Sequence, residues 1–249
     1  METIIPKTSA ALSALLRADF TTQWRNRRAV MLTLLVPTII LISWKGLVPV
    51  YGGAFVLASC ITTGLMATGL MGYSNSIARD RDKGIFQRLR VAPTPNWTIM
   101  VSRFSVQLAM ILLVTTIVFI VGFQADKISL APAGYALAYM VALVGGAVYL
   151  SVGQLIVGLI QNPETVNSTT RLVYFSFMMV GMFGQLGILG DKLKQISTWS
   201  PYGTVQTILA GSMKPETWNA TTSEALLLTI GYAILFAFLG IKNFKWTTK

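Results

Sequence analysis

Histidine is absent from the 249-residue chain, cysteine occurs once, and charged residues make up only 12% of it. Without imidazole there is no histidine base, no histidine metal ligand and no serine–histidine dyad. The one cysteine, Cys60, lies inside an apolar run and supports no disulfide framework. No G-x-x-x-x-G-K-[ST] phosphate loop occurs, so any ATP dependence has to come from another chain. No apolar run carries an acid at its centre, Glu164 and Glu224 falling at run ends. A proton-driven carrier usually keeps a carboxylate or histidine there, because such a group is costly in lipid and persists only for use. A cleavable signal peptide is not expected either, since the first apolar run begins near residue 29 and no A-x-A-like site follows a short one.

What remains is apolar. Hydrophobic residues are 53% of the chain and the mean hydropathy is positive, whereas soluble domains carry about a quarter charged residues. A soluble core of this size would not accept such long apolar stretches, so lipid is the expected solvent. The net charge of +11 lies beside apolar runs rather than on a polar domain. Anionic lipid head groups and retention of positive charge on the cytoplasmic side account for it without nucleic acid.

In chain order, residues 9–24 place Leu12, Leu15, Leu16, Phe20 and Trp24 on one helical face, with Arg17 and Asp19 off it. Arg25, Arg27 and Arg28 follow, which predicts a helix lying in the head-group layer. Six apolar spans are expected, at about 29–48 (with Pro37 inside), 53–76, 99–121, 135–160, 172–189 and 225–241. In the second, Cys60, Gly64, Thr68 and Gly72 recur every fourth residue, a small-residue stripe for close helix packing or a dimer seam. Gln107, Gln154 and Gln185 are candidates for helix-to-helix hydrogen bonds or for a polar path. Residues 190–224 form the longest outer connection, with an apolar piece of half-span length at 196–213 broken at Ser200-Pro201-Tyr202-Gly203. That length suits a re-entrant or interfacial element.

The densest charge lies at 77–96. Arg79, Asp80, Arg81, Asp82, Lys83, Gly84, Ile85, Phe86, Gln87, Arg88, Leu89 and Arg90 run up to stops at Pro93 and Pro95. If helical, this stretch puts Ile85, Phe86 and Leu89 on one face, an apolar patch expected to press into a cytosolic partner. With both termini on the same side as this loop, fifteen of the twenty Lys and Arg residues fall on that side, the cytoplasm. Asp80 and Asp82 are also candidates for holding Mg²⁺ on a diphosphate, as in a membrane transferase, although five neighbouring cations compete for them.

Taken together these features resemble type-2 ABC exporter permeases, the membrane subunits of bacterial ATP-driven exporters. Arg25-Asn26-Arg27-Arg28 before a span with Pro37 resembles the family's amphipathic helix and first span. Asp80-Arg81-Asp82-Lys83-Gly84, with Arg88-Leu89 and Ala92-Pro93 after it, resembles the acidic-Arg-acidic-x-Gly coupling segment, where glutamates are commoner. Ser200, Pro201 and Tyr202 resemble the outer re-entrant hairpin, and the length and order of elements match along essentially the whole chain. Ile85 departs from the usual threonine and Gln87 from the usual acid.

The resemblance implies an all-α membrane protein, a single permease domain over 1–249 with six transmembrane helices. Within it, 1–28 would be interfacial, 77–96 the coupling loop and 190–224 the outer segment. It implies a multi-pass protein of the bacterial inner membrane with both termini cytoplasmic, paired with a second copy or a paralogue. Two ABC ATPase subunits would carry ATP and Mg, with no cofactor on this chain. Arg79, Asp80, Arg81, Asp82, Gly84, Ile85, Phe86, Arg88 and Leu89 would meet the ATPase. Gly64, Thr68, Gly72, Met178, Met182 and Gln185 would line the path or the dimer seam. The cargo would be an amphiphilic small molecule, drug or lipid-linked compound, a saccharide being the sibling reading. Outside this class stand the Mg-dependent transferase and a carrier or channel without an ATPase.

Overall fold

In lipid, a backbone amide or carbonyl has no water to bond, so an apolar run satisfies its own polar groups by coiling into a helix. The computed structural model describes residues 8–90, 95–188 and 190–244, and every regular element among them is helical. Lys7, Ala92, Pro93, Leu189, Lys245 and Lys249, which entered the expectations above, lie outside the described residues. The order is α1 (Thr8–Arg25), α2 (Arg27–Ser43), a 3₁₀ turn (Lys45–Leu47) and the short α3 (Val48–Tyr51). Next, α4 (Gly53–Met66) passes through a π-helical segment (Ala67–Tyr73) into α5 (Ser74–Asp82), and α6 (Ile85–Arg90) follows. The long α7 (Asn96–Asp126) and α8 (Pro132–Leu159) come next. Then α9 (Pro163–Phe177) runs through a second π-helical segment (Met178–Met182) into α10 (Phe183–Gln185). The chain ends with α11 (Asp191–Trp199), α12 (Pro201–Met213), a 3₁₀ turn (Pro215–Thr217) and α13 (Ala220–Lys242).

Among the described residues, four helices are long and apolar enough to cross a membrane: Gly53–Asp82, Trp97–Asp126, Pro132–Leu159 and Ala220–Lys242. A fifth is reached if the pair Thr8–Arg25 and Val30–Ser43, bent by 59°, counts as one span. The expected spans two, three, four and six therefore have long apolar helices at their positions. The first expected span is short, because α2 has 17 residues, about 25 Å of helix. The fifth is diluted, because Glu164, Asn167, Ser168, Thr169 and Arg171 occupy the first turns of its helix. The second is longer than expected and stays helical into the charged block, as far as Asp82.

The layering is set by which helix is apolar all round. In Gly53–Asp82, 89% of the most apolar stretch is buried, against 17% in Ala220–Lys242. The first is a core helix, and the second shows Leu227, Ile234, Phe238 and Ile241 outward. The partner of the core helix is α8, which packs on the π-helical segment, α12, α13, α7 and α4. Their closest crossing is made by glycine. A Cβ on Gly153 would lie 2.5 Å from the carbonyl oxygen of Gly69 and 2.6 Å from Ser74 Oγ. One on Gly69 would meet the backbone between Tyr149 and Leu150. Nearby, Tyr73 donates its hydroxyl proton to Gln154 Oε1 at 2.6 Å, inside the core. Gln154 is thus a helix-to-helix tie.

The small-residue stripe works inside the chain. Gly64 packs against Val114 of α7 and Pro37 of α2, Thr68 is buried and donates to the Gly64 carbonyl at 3.0 Å, and Cys60 is buried. Gly72 lies beside Gln107. Gly64 and Thr68, expected to line the path or the dimer seam, are packed inside the chain's own helices. The physical reason is that the helix carrying them is surrounded by its own chain.

Replacing Gly153 by alanine sets a helix-propensity gain of about 1 kcal/mol against a collision with backbone that cannot rotate away, at about 1–3 kcal/mol. The collision wins. Gly231 of α13, where an added Cβ meets nothing within 4 Å, is the control. In detergent-purified protein the thermal midpoint is expected to fall for Gly153→Ala and to hold or rise for Gly231→Ala.

Candidate functional site

The charged block occupies one end of the helix bundle, and its geometry starts from a turn. After α5, Gly84 takes φ +66°, a conformation favouring glycine. Its amide donates to the Arg81 carbonyl at 3.0 Å, and the Arg88 amide donates to the Gly84 carbonyl at 3.2 Å, starting α6. The turn separates two sets of side chains, one directed into the bundle and one directed away from it.

Arg81 belongs to the inward set and is 1% exposed. Its Nη1 donates to the Val157 carbonyl at 2.7 Å, and its Nη2 donates to Ile160 at 2.6 Å and Gln161 at 3.1 Å. These carbonyls lie at the C-terminal end of α8, where the last turn has no intrahelical donors and carries the negative end of the helix dipole. A buried guanidinium is costly without partners, and here the partners are oxygens that otherwise lack donors. Just beyond, Asn162 accepts from the amides of Glu164 and Thr165 and starts α9 with Pro163 in its first turn. The join between α8 and α9 is thus held from both sides.

Asp80 turns inward as well. Its carboxylate meets Arg103 of α7 at 2.6 Å, and the same guanidinium reaches Asp19 of α1 at 3.3 Å. The Ser102 hydroxyl donates to Asp19 at 2.6 Å. One cation therefore ties three helices, with all three charged side chains only 11–13% exposed. Phe86 is fully buried; its ring lies 6.0 Å from the Arg103 guanidinium and edge-on to Phe244 at 6.3 Å. Phe244 in turn lies 5.9 Å from the Arg81 guanidinium. Leu89 packs partly buried on the core, and Ile85 is half-buried.

The expected apolar docking patch is thus corrected at Phe86, which belongs to the protein's own core, and Arg81 is likewise withdrawn from the surface. The exposed residues of the block are Arg79, Asp82, Lys83, Gln87 and Arg88. Asp80 and Asp82, two apart on a helix, point to different sides: one into its ion pair, the other outward. No group of three metal-binding side chains occurs among the described residues.

Asp19, Arg103 and Phe244 were missed as members of this cluster. A signal existed for Arg103, since a lone cation seven residues into an apolar helix requires a partner. Nothing in the spacing indicated that Asp19, off the apolar face of α1, was that partner. The remaining predicted residues lie elsewhere. Met182 is buried, Met178 and Gln185 are half-buried, while Leu172, Phe175 and Met179 of the same helix face outward. Ser200 caps α12, accepting from the Gly203 amide at 3.1 Å. The buried Tyr202 donates to the Ser59 carbonyl at 3.3 Å, and Tyr149 donates to the Pro201 carbonyl at 3.1 Å.

Comparisons with known proteins agree with an apolar, multi-helix membrane protein. The profile of the ABC-2 family transporter proteins matches residues 45–242. The chain belongs to that family: it is a transmembrane transport permease of the ABC transporter class. Among curated proteins it is 24% identical, over 192 residues and 75% of each chain, to YvfS of Bacillus subtilis (strain 168), whose name describes it as a transport permease.

Arg81→Met keeps the length of the side chain and removes every donor, leaving the α8 carbonyls bare. Charge-assisted hydrogen bonds of this kind contribute about 1.5–3 kcal/mol each; the substitution loses three but also removes the cost of burying a cation, so a net loss of about 3 kcal/mol is expected. Arg103→Leu leaves Asp19 and Asp80 without their counter-ion and is expected to cost about 3 kcal/mol. Both losses are measured as a lowered thermal midpoint, and Arg79→Ala, on the exposed side, serves as the control.

Proposed function

We propose that the chain is the membrane subunit of an ATP-driven exporter, and that the exposed side of the 79–88 block docks into an ABC ATPase subunit. The carrying observation is the division of that block: Arg81, Asp80 and Phe86 anchor it to α8, α7, α1 and Phe244 just after α13, while Arg79, Asp82, Lys83, Gln87 and Arg88 stay outside. A push on the exposed side then moves α8 and α7 with it, because the anchors are charge-assisted contacts between rigid helices. ATP and Mg sit on the partner, whose closure supplies the differential binding that shifts the permease between states.

The full arrangement is six crossings, α2 and the α9–α10 helix completing the four long apolar ones. Both termini are cytoplasmic in a bacterial inner membrane, an orientation supported by the fifteen-to-five distribution of basic residues. On this reading α11 and α12 form the outer re-entrant pair, the 13 residues of α12 extending only about 20 Å. A second permease, identical or paralogous, completes the unit. The cargo is an amphiphilic small molecule, drug or lipid-linked compound.

The test is co-expression with a Walker-type ABC ATPase, sought in the reading frames that neighbour this one. Replacing both Lys83 and Arg88 by glutamate is expected to cut ATPase co-purification and transport at least tenfold with the thermal midpoint of the permease unchanged. Phe86→Asp is expected to lower the midpoint itself. Full co-purification and transport by the double variant overturns the docking surface.

A further inference from the structure

At the opposite end of the core helix, about 45 Å along it from Asp82, α3, α4, α10, α12 and α13 line an open cleft of about 360 Å³, a size typical of small-molecule sites. One wall is aromatic: Tyr51 and Phe55 stack with ring centroids 5.1 Å apart. Tyr51 donates its hydroxyl proton to the Leu186 carbonyl at 3.1 Å, tying that wall to the end of α10. The facing wall is polar. Gln206 is 2% exposed and Gln185 half-buried, and both line the cleft. The amide nitrogen of each is buried without a hydrogen-bond partner among the described residues. A buried donor without an acceptor is unfavourable, and turning either amide into the cleft breaks no bond at its nitrogen. Lys214 adds a positive charge at the exposed rim, and no carboxylate is among the described residues that line the cleft.

Two unmet amide donors and an ammonium, with no acid among them, call for an oxygen anion, and the stacked rings beside them call for an apolar tail. We propose that this cleft binds the anionic head group, phosphate or carboxylate, of an amphiphile whose tail lies against Tyr51 and Phe55. The site goes beyond the coupling reading and stands without it, because binding here requires no ATPase and no choice of membrane orientation. Electrostatic attraction at Lys214 gathers the head group, and the glutamine amides hold it by hydrogen bonds once it is out of water.

The full-length protein in phosphatidylcholine nanodiscs is titrated with dodecyl phosphate, with dodecyltrimethylammonium and with inorganic phosphate, and the bound species are counted by native mass spectrometry. One dodecyl phosphate per chain is expected, unaffected by the ammonium amphiphile and weakened at least tenfold by Gln206→Leu and by Lys214→Ala. Lys214 is exposed, so its variant folds and keeps the test decisive if Gln206→Leu does not. Adding phosphatidylglycerol separates two sources of the same chemistry: displacement of dodecyl phosphate assigns the cleft to a bilayer lipid, and retention assigns it to a diffusible amphiphile. Unchanged affinity in Lys214→Ala, competition by the ammonium amphiphile, or equally tight binding of inorganic phosphate overturns the proposal.

Discussion

The guanidinium of Arg81 at the end of α8 is the contact on which the rest of the arrangement depends. A helix end in a membrane protein leaves carbonyls unpaired, and a buried cation is equally costly alone. Placing one on the other joins them by three hydrogen bonds. The consequence is mechanical: the turn that follows α5 cannot shift without carrying the end of α8, the packing partner of the core helix. A second cation repeats the logic, since Arg103 holds carboxylates from α1 and α5. The two latches lie within one cluster, joined through the rings of Phe86 and Phe244.

From that latch α8 runs back through the bundle, packed by close backbone approach. Lipid tails are as apolar as leucine, so helices in a bilayer gain little by hiding apolar surface from each other and rely on tight van der Waals fit. Gly69 and Gly153 supply that fit against the core helix, and Gly158 and Gly240 supply it against α13. The crossing at Gly69 falls within the π-helical segment, where the wider turn and a glycine bring the backbones together. A bundle joined this way resists small continuous deformation and moves as packed units.

The two ends of the bundle differ in chemistry. The latched end shows a mostly basic, exposed face, which on the proposed reading meets a partner subunit. The other end holds a cleft with aromatic and amide walls, suited to a molecule with a polar head and an apolar tail. On the proposed reading the first surface meets the motor and the second holds a bound amphiphile, separated by the length of the core helix.

Much of this was legible from residue order alone. Four long apolar helices and the all-helical class follow from runs of about twenty residues that only a self-bonded backbone makes tolerable in lipid. The basic block and the acidic-Arg-acidic-x-Gly pattern marked the region of the latch, and the serine–proline pair marked the start of α12. Face assignment was not legible. Ile85, Phe86 and Leu89 form an apolar stripe whether they meet a partner or their own core, and the stripe of Gly64 and Thr68 fits a neighbour in the same chain as well as in another. Those choices depend on which distant groups arrive alongside. Phe244 and Arg103 draw Phe86 inward, and α7 and α2 close over Gly64. Composition and periodicity determined the elements, their solvent and the end at which the charge collects. Only the tertiary structure decided which way each side chain faces, because burial is a property of neighbours far apart in sequence.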